Sequence, residues 1–269
     1  MALHSLQHDG NTLAFDDTGG VGPLIIALPG MGDLRGEYRH LTPYLTQAGY
    51  RVVTLDIRGH GDTGAQWTDY SAHAVGRDII ALIDHLGVTE VVLLGNSFAA
   101  GAAAWAAHDA PEKISAVAML GPVVRDPPQP PPFFIKAILE VGFAGPWRVN
   151  FWTWYWDTLF PTRKPADHRS YRAHLVANLR ENGRMRALKT MIDLSKADTE
   201  GILGVPPKPT LIVMGTKDPD FRDPTAEAQW LASRTRGEVM IVEGAGHYPH
   251  TEMPEQVAPR LLNFLKGVR

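Results

Sequence analysis

The sequence predicts a mostly parallel α/β sheet with helices on both faces and one helical insertion. Short apolar runs alternate with helix-length amphipathic stretches from residue 24 to 120, and again from 209 to 266. Runs such as Leu24-Ile25-Ile26-Ala27-Leu28 are apolar at every position, as strands covered on both faces are. Between about 122 and 205 the alternation stops, and prolines, aromatics and helical patterns replace it.

Each element has its own signal. Residues 4–8 and 12–16 flank Asp9-Gly10-Asn11, a turn-forming tripeptide, and read as a hairpin. Pro23 and Pro29 bound the strand at 24–28. A helical stretch over 37–48 ends at Gly49, and 51–55 is the next strand. Ser71 caps a helix that runs to Leu86 and stops at Gly87. Strands follow at 91–94 and 114–120, with an alanine-rich helix over 98–108 between them. After the insertion come a strand at 209–215, a helix at 224–233, a strand at 239–242 and a last helix at 254–266. The sheet on either side of the insertion therefore reads as one domain, residues 1–122 and 205–269, with a helical cap over 123–204.

Two stretches of the cap are distinctive. Pro127-Pro128-Gln129-Pro130-Pro131-Pro132 reads as a stiff lead into it, or as a polyproline ligand for a partner. Phe151-Trp152-Thr153-Trp154-Tyr155-Trp156 is cap core, the wall of an apolar cleft, or both. Trp152 and Trp156 share a face if the run is helical.

Composition bounds the function. With 269 residues, 44% hydrophobic and 20% charged, the chain has ample material for a large core. A net charge of −3 gives no electrostatic case for nucleic acid or an anionic membrane. There is no cysteine, so disulfides, thiolate metal sites and a thiol nucleophile are excluded. Met1-Ala2-Leu3-His4-Ser5 lacks the pattern of a signal peptide, and no window is apolar enough for a membrane span, so a cytoplasmic protein is expected.

Chemistry concentrates where strands end. Gly95-Asn96-Ser97-Phe98-Ala99 joins an apolar strand to a helix through small residues, the pattern of a nucleophile elbow. A buried serine at an ordinary junction is the bland alternative. A serine hydroxyl needs a base. Of 11 histidines, His247 stands in a glycine-bracketed loop after a strand, with His250 as its nearby rival. The imidazole needs an acid to fix its tautomer. Asp218 follows a strand, and Asp220 and Asp223 compete with it or cap the next helix. The order Ser97, Asp218, His247 is that of α/β-hydrolase triads. An oxyanion would be met by the backbone N–H groups of Phe98 and of Met31, in the turn Leu28-Pro29-Gly30-Met31-Gly32-Asp33. His60 reads as a brace for its own loop. Read as a nucleotide loop, the glycines at 30, 32 and 36 miss the dinucleotide spacing by one residue, so no cofactor is expected.

With these residues the chain resembles the α/β-hydrolase superfamily over nearly its whole length. The matching features are the 29–32 turn, Asp56-x-Arg58-Gly59-His60-Gly61, the elbow at Ser97, Gly215-x-x-Asp218, and Gly246-His247 leading to Glu252. Pro29 stands where the family has His, and Ala99 where it has Gly. The resemblance implies an eight-stranded sheet with a cap after the sixth strand, catalytic Ser97, Asp218 and His247, and oxyanion amides at Met31 and Phe98. Ser97 argues against the epoxide hydrolase and haloalkane dehalogenase branches, which use aspartate. Gly95-Asn96-Ser97-Phe98 is also similar to carbon–carbon hydrolases of aromatic ring-fission products, which use a cap arginine, a role open to Arg180, Arg184 or Arg186. The expected activity is hydrolysis of carboxylic esters of small apolar or aromatic substrates, with Trp152, Trp154, Trp156 and Tyr248 as substrate contacts. Carbon–carbon hydrolysis, a non-turnover small-ligand receptor and a perhydrolase side activity use the same constellation. No metal and no partner beyond a small molecule is expected, and the chain reads as a monomer or homodimer.

Overall fold

Apolar runs of five to seven residues become strands because each can bury both faces between helical layers. The structure, a computed structural model, describes residues 2–128 and 133–268. Eight strands form one sheet in the order β1-β2-β4-β3-β5-β6-β7-β8. They are β1 (Ala2–His8), β2 (Asn11–Asp17), β3 (Leu24–Leu28), β4 (Arg51–Leu55), β5 (Val91–Asn96), β6 (Ile114–Leu120), β7 (Thr210–Gly215) and β8 (Glu238–Val242). β1 and β2 form the antiparallel hairpin, β2 joins β4 antiparallel, and every other pairing is parallel. Every residue of β3, β5 and β7 is buried.

The helices of the sheet layers are α1 (Thr42–Gln47), α2 (Ala72–Leu86), α3 (Phe98–Asp109), α9 (Pro224–Thr235), α10 (Pro249–Glu252) and α11 (Pro254–Gly267). The stretch expected as one helix over 37–48 is instead a 3-10 turn, Arg35–His40, followed by the short α1. Pro43 explains the break, since proline fits the first turn of a helix and not its interior. Ser71 caps α2 by accepting the Ala74 amide at 3.1 Å, and Gly87 closes it in the left-handed conformation. The alanines of α3 bury nearly its whole surface. Leu13, Ile26, Leu93 and Ile79 anchor one side of the sheet, while Ile25, Leu94, Val213 and Leu261 anchor the other.

Between β6 and β7 the described residues form five helices: α4 (Phe133–Ala144), α5 (Arg148–Thr158), α6 (His168–Leu179), α7 (Arg184–Asp193) and α8 (Ala197–Ile202). They hold a separate apolar cluster that includes Phe143, Trp152, Trp156, Phe160, Leu175 and Tyr248. Met31 packs against both this cluster and the main core. Of the proline-rich stretch, residues 129–132 lie outside the described residues. Among the described residues no helix is long and apolar enough to cross a membrane.

Candidate active site

The loops that leave the carboxyl ends of β3, β5, β7 and β8 meet at one rim of the sheet. At the end of β5 the chain turns sharply, and Ser97 takes φ 54° and ψ −122°. A non-glycine residue there is strained and persists only where its surroundings fix it. Here the Ser97 amide donates to the Leu120 carbonyl at 3.0 Å, and the Ser97 carbonyl accepts the Val123 amide at 3.1 Å. Gly95 is required beneath it, because a Cβ there would stand 2.4 Å from the Ala99 carbonyl oxygen.

Asp218 follows β7 and His247 follows β8, and both are buried. The His247 Nδ1–H donates to Asp218 Oδ2 at 2.8 Å, which leaves Nε2 free of that acid. The Asn96 side chain, next to the serine, donates to the carbonyls of Leu120 at 2.8 Å and His247 at 3.2 Å. The elbow and the histidine loop are thereby tied together. Burial alone would lower the His247 pKa, but the charges of Asp218 and Asp220 and the Asp218 hydrogen bond outweigh it and push it up to about 9.

The turn after β3 comes against the elbow. A Cβ on Gly30 would lie 2.8 Å from Asn96 Oδ1 and 3.0 Å from Ser97 Cβ, so only glycine admits this approach. Three bonds fix the turn. The Gly30 amide donates to Glu37 Oε2 at 3.1 Å, the Gly32 amide to His60 Nε2 at 2.8 Å, and the Leu34 amide to Asp33 Oδ1 at 2.8 Å. Because His60 Nε2 accepts, its Nδ1–H donates to the Arg58 carbonyl at 2.8 Å. Burial lowers the His60 pKa to about 4 and keeps this tautomer neutral. Met31 and Phe98 are the residues at the turn and at the first position of α3, where a helix leaves its amides without internal partners.

His250, the rival base, is engaged elsewhere. Its Nε2 lies 2.7 Å from Glu37 Oε1, and its ring stacks on Tyr38. Burial pushes the Glu37 carboxyl up and the His250 imidazole down to about 3, so each is driven toward its neutral form. Asp223 accepts the Ala226 amide at 2.9 Å and caps α9.

The tryptophans separate by helical geometry. Trp152 and Trp156 fall on the inner face of α5 and are buried, whereas Trp154, two residues round, is 62% exposed. Trp152 Nε1 donates to the Gly32 carbonyl at 3.0 Å, and Trp156 Nε1 to Asp33 Oδ2 at 2.9 Å. Tyr171 of α6 donates to Asp33 Oδ1 at 2.6 Å. Tyr248 is buried and stacked on Phe160 with ring centroids 4.9 Å apart. The expected substrate contacts thus include two indoles that grip the turn after β3, and one, Trp154, that faces outward. Of the arginines, Arg180 and Arg186 are exposed, and Arg184 is committed to the Thr63 carbonyl and to Glu181.

Several contributors escaped the sequence reading. Asp33, Glu37 and Asn96 each join segments that are remote along the chain, and no local pattern marks them. A charged residue beside a glycine turn, as at Asp33, was the one available hint. Among the described residues Asp218, Asp220 and His247 present ligand atoms within 4.8 Å of one another, but the His247 Nδ1–H is already given to Asp218, which makes them a hydrogen-bonded group and not a set of metal ligands. An ion there would compete for the imidazole nitrogen that already donates to Asp218.

Residues 25–260 match the profile of the alpha/beta hydrolase family. The chain belongs to that family. It has the α/β-hydrolase fold, and its relatives span several reactions. Epoxide hydrolase 3 of Siraitia grosvenorii is 38% identical over 104 residues, 38% of this chain and 33% of that protein. The match thus covers about a third of the length of the first of these curated relatives. A protein of Oryza sativa subsp. japonica described as a probable esterase is 25% identical over 265 residues, 90% of this chain and 91% of its own length. The bromoperoxidase of Bacillus anthracis superposes with a TM-score of 0.84 at 21% identity, covering 98% of this chain and 99% of that one, a likeness of fold.

Proposed function

We propose that this hydrolase cleaves carboxylic esters of small apolar or aromatic substrates through an acyl-enzyme intermediate. The observation that carries the reading is the strained Ser97 at the elbow, tied through Asn96 to a histidine loop whose imidazole is held by Asp218. In this reading the Ser97 hydroxyl attacks the ester carbonyl carbon, and His247 Nε2 takes its proton. The tetrahedral oxyanion is met by the amides of Met31 and Phe98, each worth about 2.7–4 kcal/mol in such sites. The C–O bond then breaks, and the imidazolium returns the proton to the departing alkoxide. Water repeats the sequence and releases the acid.

An aspartate nucleophile, expected for epoxide opening in the resembling branch, is replaced here by serine. The carbon–carbon reading wants a cap arginine for a carboxylate, and the three candidates are exposed or already bonded. Aromatic residues around Met31 favour an apolar acyl or alkyl group. The test is turnover of p-nitrophenyl acetate. Wild-type protein should give a burst followed by steady hydrolysis, Ser97→Ala should abolish both, and a fluorophosphonate probe should label Ser97. Labelling at another residue, or unchanged turnover in Ser97→Ala, would overturn the reading.

A further inference from the structure

The loop after β7 places two carboxylates, not one, against the histidine. Asp218-Pro219-Asp220 folds back so that the Asp220 amide donates to Asp218 Oδ1 at 3.0 Å. That bond occupies one Asp218 oxygen while the other accepts from His247 Nδ1 at 2.8 Å. Asp220 Oδ2 then lies 3.5 Å from the same Nδ1, an ion-pair distance. Its other oxygen accepts the Tyr155 hydroxyl, from α5 of the helical insertion. The Asp220 side chain is 22% exposed, so it stands between the buried acid and the edge of the insertion.

We infer that Asp220 is a second carboxylate partner of His247, a positioning residue that shares the imidazole with Asp218 and links it through Tyr155 to the helical insertion. The inference rests on the serine hydrolase reading for its role in catalysis, but its electrostatic part does not. Two carboxylates on one ring nitrogen stabilise the imidazolium more than one does. The groups that act on the pair come from every side. Asp218 flanks His247 directly, and Asp33 from the turn after β3 adds negative charge. The His247 charge in turn lowers the basicity of the nearby His250 imidazole. Burial and the neighbouring Asp218 charge raise the Asp220 carboxyl, while His247, the Tyr155 hydrogen bond and Lys196 from the segment before α8 oppose that rise. Tyr155 therefore favours the charged form of Asp220, and the charged form favours protonated His247. A shift of α5 that broke this hydrogen bond would lower the basicity of the histidine.

The decisive readout is the protonation of His247, followed by NMR of the imidazole nitrogens and by the pH profile of kcat/KM on p-nitrophenyl acetate. Asp220→Asn should move the imidazole titration, and with it the acid limb of the profile, down by roughly one pH unit. Asp220→Glu should restore most of the wild-type position. Tyr155→Phe should move both in the same direction as Asp220→Asn by a smaller amount. Asp218→Asn should keep more activity than the roughly 10⁴-fold loss seen when a triad loses its only acid. The double variant Asp218→Asn/Asp220→Asn should reach that full loss. Superimposable titrations of wild type and Asp220→Asn, or equal activity of Asp218→Asn and the double variant, would overturn the inference. If no ester is turned over but the NMR shift occurs, the hydrolase reading fails while the charge coupling stands. Circular dichroism at each pH confirms that the compared proteins are folded.

Discussion

At the scale of single residues, the proposed assignment of His247 as the base fixes a working pH that can be measured. A base must be neutral to accept the serine proton, and the two carboxylates hold this imidazole protonated up to about pH 9. Activity on p-nitrophenyl acetate should therefore climb with pH through an apparent value near 9, not level off near 6.5. A kcat/KM profile that is flat from pH 7 to 10 would contradict that assignment of the base. His60 and His250 follow the opposite logic, because burial without an adequate charge partner lowers both. They remain neutral over the same range and leave the profile to His247. Three histidines in one neighbourhood thus carry two protonation behaviours, one raised by carboxylates and two lowered by burial.

At the scale of elements, the turn after β3 is the part held from most directions. β3 delivers it to the elbow, His60 and Glu37 hold its amides, and α5 and α6 reach down to Gly32 and Asp33. Asp33 is the knot. It is buried, and it accepts from Trp156, Tyr171 and the Leu34 amide at once. Asp33→Ala should leave buried donors without acceptors and cost about 1–3 kcal/mol in urea unfolding. Because the same turn carries Met31, the variant should also lose kcat. Tyr171→Phe, which removes one donor and leaves the carboxylate its others, should cost less. Equal stability of Asp33→Ala and wild type would refute the idea that the helical insertion is fastened through this side chain.

At the scale of the whole molecule, the histidines pull stability and activity apart. The pKa of His247 is raised on folding, so its contribution is complete below about pH 6.5 and is lost as pH rises through 9. Those of His60 and His250 are depressed, so their contribution is complete above about 6.5 and is lost as pH falls toward 4 and 3. Together these groups place maximal stability near pH 6.5, well below the pH of fastest turnover that the proposed base predicts. Urea unfolding at pH 4.5, 6.5 and 9 should show the peak in the middle. In His247→Gln the decline between 6.5 and 9 should shrink, and an unchanged decline would remove His247 as its cause.

What the sequence alone determined was everything that depends on near neighbours. Apolar runs between prolines and glycines specified the strands, since a run such as Leu24-Ile25-Ile26-Ala27-Leu28 can bury both faces only inside a sheet. Small residues round Ser97 specified the elbow, because only they let strand and helix pass. Pro43 lies inside the stretch read as one helix over 37–48, and its place in the first turn of α1 marks where residues 35–47 divide into two short pieces. What only the tertiary structure decided was which polar groups meet. The two-residue spacing of Asp218 and Asp220 reads as a choice of one acid or the other, and the turn at Pro219 brings both to one nitrogen. Trp152, Trp154 and Trp156 are alike in sequence, and packing sends two onto the turn after β3 and one to solvent. Asp33 and Glu37 each acquire, beside a near neighbour, a partner from a segment more than a hundred residues away. Hydrogen bonds between remote segments leave no periodicity in the chain, because they are set by where folded elements come to rest and not by the residues beside them.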